Sequence, residues 1–299
     1  MNIYSNISQN IWKSWVIMIL FVVFVTTVAY VIGKATGYGL SFTFLAFCMA
    51  IFSSIGSFFF SDQVVLATSG AKQIEKQDNP ELFHIVENLA IGDGLPMPKV
   101  YIIDDPSPNA FATGRGPKHA SVAVTTGILE RLNKSELEGV LAHELSHVKN
   151  FDTRLMMIAA VLVGFVSLLA NLFMQNLFWG GIRRRDDEDN RAQAIFLVIG
   201  IIFAIIAPIV ASLIQLAISR KREFLADASG ALLTRYPEGL ANALEKISSD
   251  PRPLHTANNA TAHLFIVNPF KGKGFHGWLS GLFSTHPPIE ERIKILRSM

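Results

Sequence analysis

Four long apolar runs constrain this chain more than any other feature. Residues 16–32 and 40–60 form one pair, separated by Gly33, Lys34 and Gly37. Residues 155–179 and 194–218 form another, separated by Gly180, Gly181 and the charged stretch 183–191. Each run is long enough, or nearly so, to cross a hydrocarbon core of about 30 Å. They carry the apolar excess of a chain that is 50% hydrophobic and 17% charged, with a mean hydropathy of +0.36. The pattern predicts four membrane helices. For residues 155–179, which include Asn171, Gln175 and Asn176, a buried core helix is the alternative. The first run has no convincing small-x-small cleavage site and a second follows at once, so it reads as a retained anchor.

Four crossings divide the chain into a membrane hairpin over residues 1–60, a polar segment 61–154, a second hairpin 155–218 and a polar tail 219–299. Parity puts both polar segments on one side of the membrane. Charge does not say which side. Lys13, Arg154, Arg220, Lys221 and Arg222 flank the spans on that side, and Lys34, Arg183, Arg184, Arg185 and Arg191 flank them on the other, a near tie under the positive-inside rule. The single cysteine, Cys48, lies inside the second run, which rules out an internal disulfide and a thiolate metal cluster. A net charge of +2 gives no argument for nucleic-acid binding.

In the first polar segment, Asn79-Pro80-Glu81 opens a helix to about Leu89, with proline in the first turn. Residues 100–103, 109–113 and 121–125 read as short strands, the last two joined by the turn-rich Gly114-Arg115-Gly116-Pro117. In the tail, residues 222–233 and 238–247 are helical, whereas 251–274 shows no clear period. Ser135-x-x-Glu138 reads as a capping box that starts one more helix, along which Leu137, Val140, Leu141, Leu145 and Val148 recur at helical spacing.

That helix carries His143-Glu144-Leu145-Ser146-His147. Residues four apart share a helix face, so the two imidazoles can reach one ion while Glu144 leans toward the same space. Two neutral imidazoles suit Zn²⁺, and a carboxylate beside a metal-bound water is placed to take its proton. The alternative is a surface helix with two solvated histidines. A third ligand from the continuation His-x-x-Gly-x-x-His is excluded, because Asn150 and Thr153 occupy those positions. Asp152 reads as a cap for the following span. Glu223 is the better third ligand, with Asp227 one turn later placed to accept the outer N–H of a ligand histidine. The bland reading of both carboxylates is surface pairing with Arg220 and Lys221. His84, His119, His255, His263 and His276 have no partner at ligand spacing and are read as structural.

Four blocks now stand in order: Asn109-Ala110-Phe111-Ala112-Thr113-Gly114, Ala142-His143-Glu144-Leu145-Ser146-His147-Val148-Lys149-Asn150, Arg222-Glu223-Phe224-x-Ala226-Asp227, and Thr285-His286-Pro287-Pro288 with Arg292. With the membrane pattern, the chain resembles the bacterial HtpX family of membrane zinc endopeptidases, related to the CAAX prenyl endopeptidases, over nearly its whole length and with no departure at a motif position. The resemblance implies a mainly α integral membrane protein, with four transmembrane helices and an α+β zincin-like (gluzincin) catalytic domain holding a small β-sheet. It implies one Zn²⁺ per chain on His143, His147 and Glu223, Glu144 as base, and His286 as oxyanion stabiliser on the stiff backbone before Pro287-Pro288. A turn histidine without a catalytic role is the alternative for His286. Asp227 and Asn150 are read as outer partners of the ligands. Asn109, Ala110, Phe111, Ala112, Thr113 and Gly114 are read as a strand whose edge pairs with an extended substrate. An ordinary core hairpin is the competing reading.

The resemblance further implies a multi-pass protein of the bacterial cell membrane, a cytoplasmic catalytic domain, self-cleavage after release from membranes, and polypeptide substrates drawn from misfolded or damaged membrane proteins, as in a stress response. The competing functions are a selective processing peptidase of the CAAX type and a non-catalytic membrane adaptor with a vestigial metal site. Cleavage within the bilayer is excluded, because Glu130, Arg131, Lys134, Glu136 and Glu138 crowd the approach to the histidines. Nothing in the sequence specifies an oligomer.

Overall fold

The computed structural model describes residues 3–36, 39–162, 164, 220–257, 261–269 and 287–299. Two long helices come first, α1 (Ile3–Thr36) and α2 (Gly39–Thr68). Within them Ile7–Tyr30 and Leu40–Thr68 are long and apolar enough to cross a membrane. Their outward faces carry Ile19, Val23, Phe44, Leu45, Phe52 and Ile55 in the open, a surface that suits lipid. At about 1.5 Å per residue, the 30 residues of α2 span about 45 Å, more than a hydrocarbon core. The excess is used inside the protein: Val65 and Leu66, in the last turn of α2, are buried against the sheet. The second apolar pair lies outside the described residues except at its start. There a helix over residues 152–162 (α6) buries Leu155, Met157 and Ile158.

Between α2 and α6 lies a four-stranded mixed sheet in the order β1 (Ala71–Ile74), β2 (Lys99–Ile103), β4 (Ala120–Thr125), β3 (Ala110–Gly114). β2 and β4 are parallel; the two outer pairings are antiparallel. Period-2 alternation sends Val100, Ala110, Ala112, Val122 and Val124 to one face, where α3 (Pro80–Asp93) and α5 (Lys134–Lys149) cover them. Ile103, Phe111 and Ala123 point to the other face, against α2, α6 and Phe265. The sheet is thus a plate between the helical layer that holds the histidines and the ends of the membrane helices.

The expected elements form with shifted edges. Asn79 caps α3 by accepting from the Leu82 N–H, as the Asn-Pro-Glu opening predicts. The capping box of α5 lies two residues earlier than expected. Asn133 is the cap, its side chain accepting from Glu136 N–H at 3.0 Å while Glu136 Oε2 accepts from Asn133 N–H at 2.9 Å. Asparagine caps as well as serine, and Lys246 adds a charge partner to buried Glu136. β1 and the short α4 (Thr126–Arg131) add to the expected set. The tail supplies α7 (Arg220–Thr234), α8 (Pro237–Ser249) and α9 (Ile289–Leu296).

Candidate metal centre

A tight helix crossing sets the site. A Cβ on Gly230 of α7 would sit 3.0 Å from His143 N, so glycine lets α7 lie against the backbone of α5. Two turns earlier on the same face of α7 is Glu223, brought over the histidine pair. His143, His147 and Glu223 are all buried. His147 Nε2 lies 3.1 Å from His143 Nε2 and 3.4 Å from Glu223 Oε1, and His143 Nε2 lies 3.7 Å from Glu223 Oε2. Donors bound at about 2.0–2.2 Å around a tetrahedral ion stand about 3.3–3.6 Å apart. The donor set, two imidazoles and one carboxylate, therefore fits a divalent ion in both chemistry and spacing.

The outer nitrogens are held separately. His143 Nδ1 meets Asp227 Oδ1 at 2.9 Å, and Asp227 is clamped by Arg292, whose Nε and Nη2 donate to its two oxygens at 2.8 and 2.6 Å. Arg292 is fully buried at 0% exposure, so the pair is a two-pronged ion pair shielded from water. Burial alone would raise the Asp227 carboxyl, but the Arg292 charge and the bonds from His143 and Arg292 hold it down at about 2. Replacing Arg292 by methionine leaves that carboxylate without its cation, at an expected cost of roughly 3–5 kcal/mol. A thermal melt of Arg292→Met in detergent checks this; an unchanged melting temperature contradicts it.

His147 Nδ1 meets Asp152 Oδ2 at 3.0 Å. The sequence reading of Asp152 as a simple helix cap is therefore incomplete: it opens α6, and its carboxylate also orients a histidine. Phe151, at φ 59, makes the difference. One left-handed residue after α5 swings the chain back, so that Asp152 ends beneath the helix it has just left. Asn150 terminates α5 and contributes through its backbone, its carbonyl accepting from Asn10 at 2.8 Å.

Glu144 shares the pocket. Its Oε2 accepts from Ala112 N–H of β3 at 2.8 Å. Burial pushes this carboxyl up to about 8, Glu223 adds to the rise, and His147 and the Ala112 N–H oppose it. For His147 burial acts downward, yet the charges of Glu223, Asp152 and Glu144 prevail and raise it to about 9. Burial lowers His143, with Asp227 opposing. The surrounding carboxylates thus favour a proton on His147, whose Nε2 faces that of His143. An incoming cation displaces that proton, so metal affinity rises with pH.

Strand β3 holds Asn109's neighbours Ala110, Phe111, Ala112, Thr113 and Gly114, every one buried. Its outward backbone groups are engaged. Ala110 C=O accepts from Ile266 N–H at 3.1 Å, Ala112 N–H goes to Glu144, and Gly114 C=O accepts from Thr153 Oγ1 at 3.0 Å. Asn109 Nδ2 donates to Val267 C=O at 2.9 Å. His286 lies outside the described residues.

The family description "Peptidase family M48" matches residues 76–299. The chain is similar to "Protease HtpX homolog" of Dictyoglomus thermophilum, 45% identical over 296 residues that cover 99% of this chain and 94% of that protein. It is also similar to the proteins of the same name from Tropheryma whipplei strain Twist (46% identical, covering 99% and 98%) and Ligilactobacillus salivarius (46%, covering 99% and 100%). Its fold is similar to that in "Crystal Structure of S. mikatae Ste24p", with a TM-score of 0.50 at 18% identity over 98% of this chain and 67% of that one. With family, relatives and a buried two-histidine, one-glutamate cluster in agreement, the chain belongs to peptidase family M48 as a membrane metalloprotease.

Proposed function

We propose that His143, His147 and Glu223 hold one Zn²⁺, with Glu144 as the base for hydrolysis of peptide bonds in misfolded or damaged membrane proteins. The observation that carries this reading is the mutual spacing of the three donor atoms, 3.1–3.7 Å. When bound there, zinc supplies Lewis acidity and lowers the pKa of water toward neutrality. Glu144, one oxygen fixed by the Ala112 N–H, uses the other to take a proton from the attacking water and to deliver it to the departing amine. Asp227 and Asp152 keep the two imidazoles turned inward by accepting their outer N–H groups. His286 steadies the developing oxyanion. Asn109 to Gly114 supply the edge along which an extended peptide pairs, beginning at the Ala110 carbonyl once residues 265–267 release it, while the Ala112 N–H stays with Glu144.

In the same proposal, residues 1–60 and 155–218 are two membrane hairpins and make four spans in the bacterial cell membrane. Residues 61–154 and 219–299 form one catalytic unit on the cytoplasmic face. Packing of α5 against α7 and α8 supports the single unit, because the zinc ligands come from both polar segments. The expected test uses the full chain in detergent. A chelator abolishes hydrolysis of a casein-type substrate, and one equivalent of zinc restores it. Cleavage across a panel of unrelated unfolded substrates supports quality control, whereas cleavage of a single lipid-modified peptide points to a selective processing peptidase. A purified protein that holds no zinc removes the ligand assignment.

A further inference from the structure

A buried amide is costly unless it is hydrogen-bonded, and Asn10 of α1 is only 2% exposed. It lies in the opening turns of α1, near Ser8, Gln9 and Lys13 and before the apolar run 16–32. Its bonds explain its presence. Nδ2 donates to Asp152 Oδ1 at 2.7 Å and to Asn150 C=O at 2.8 Å, and Oδ1 accepts from Arg222 Nη1. Arg222 also donates to Asp152 Oδ1 at 3.0 Å.

Each of these partners adjoins a proposed zinc ligand. Asn150 ends the helix that carries His147 three residues before. Asp152 accepts the outer N–H of His147. Arg222 precedes Glu223 in α7. One amide therefore touches the end of the histidine helix, the residue before Glu223 on the glutamate helix and the carboxylate that turns His147 inward. A primary amide suits this position because it donates twice and accepts at once without charge. Aspartate has no donor and would face Asp152 as a like charge. A second stitch lies alongside: the Arg154 guanidinium sits over the rings of Trp15 in α1 and Phe58 in α2, 5.7 and 4.6 Å from their centroids.

We propose that Asn10 is a positioning residue for the metal centre, so that α1 is a structural part of the active site as well as an anchor. The inference rests on the zinc reading of the site. In it, Asn10 fixes Asp152 between two donors, Asp152 fixes the tautomer and tilt of His147, and Arg222 ties Glu223 to the same point. Loosening Asn10 then relaxes two of three ligands together.

The test compares zinc affinity, by chelator competition, in the full-length protein in detergent. Asn10→Ala and Asn10→Asp should each weaken zinc binding about 10-fold, the low end of the range for direct partners of ligand histidines such as Asp152. They should also shift the visible absorption of the Co²⁺-loaded protein, which reads ligand geometry. The exchange variant Asn10→Asp with Asp152→Asn restores a donor facing an acceptor across that pair but leaves the Asn150 carbonyl without its donor, and should recover part of the loss. Phe21→Ala, which removes apolar packing from α1 without touching the polar group, should lower the melting temperature and leave zinc affinity in place.

Asn10→Ala with wild-type affinity and an unchanged Co²⁺ spectrum overturns the proposal. So does Phe21→Ala losing affinity to the same degree, since general loosening then explains both. If Asn10→Ala does not accumulate, equal affinities for Asn10→Asp and the exchange variant overturn it. Wild type that takes up no zinc sinks the ligand assignment as well; wild type that binds zinc tightly beside unaffected Asn10 variants sinks the positioning role alone.

Discussion

Glu144→Ala is expected to keep a full equivalent of zinc and lose about 10²–10⁴-fold in turnover of a casein-type substrate, the usual share of a positioned base. The separation of metal from activity follows from where Glu144 sits. It lies on α5 between the two histidines in sequence, but its hydrogen bond is with the Ala112 N–H of β3 rather than with either imidazole. Alanine also orphans that buried N–H, which costs roughly 1–3 kcal/mol of stability. Glu144→Gln removes this ambiguity, since its amide oxygen still accepts from Ala112 while it cannot carry a proton. Both variants should be equally inactive, and only the alanine should melt earlier. Self-cleavage after detergent extraction should stop in both. Turnover within a factor of a few of wild type in Glu144→Gln would remove Glu144 as the base.

Local signals made much of this protein legible, and the misses have a common cause. Helical spacing and helix-start residues placed α3, α5, α7 and α8 to within a few residues. The clustering of His143, His147 and Glu223 was legible because four-residue spacing on a helix implies a shared face, and because Glu223, just after the last apolar run, completes a two-histidine, one-carboxylate set. β1 was not readable. Ala71-Lys72-Gln73-Ile74 has little strand character, and it is extended because β2 offers an edge to pair with. Hydropathy alone ends the second apolar run at Phe60. In fact Val65 and Leu66 carry the helix to Thr68 by packing on the sheet, a protein contact rather than a lipid one. Asp152 and Asn10 were missed for a deeper reason. The role of Asp152 depends on a single left-handed residue, Phe151, and that of Asn10 on a chain segment 140 residues away. No periodicity encodes either.

Loss of a ligand should behave differently from loss of the base. Glu223→Ala and His143→Ala are each expected to leave the protein without zinc after dialysis, and without cleavage above the buffer background. Two donors from a three-donor set remain in either case. Replacing a ligand should therefore cost more than the 10–100-fold that loosening an outer partner does. The two variants should still be distinguishable by charge. Removing Glu223 takes away the largest of the charges that hold His147 up near 9 against burial, so in the metal-free protein His147 should titrate at lower pH. Removing His143 instead leaves Asp227 with Arg292 alone, still paired through two bonds. Elemental analysis, with titration of the His147 ring by NMR, checks both halves. Full zinc in Glu223→Ala would strike Glu223 from the ligand set, and an unmoved His147 titration would mean that the Glu223 carboxylate does not govern that ring.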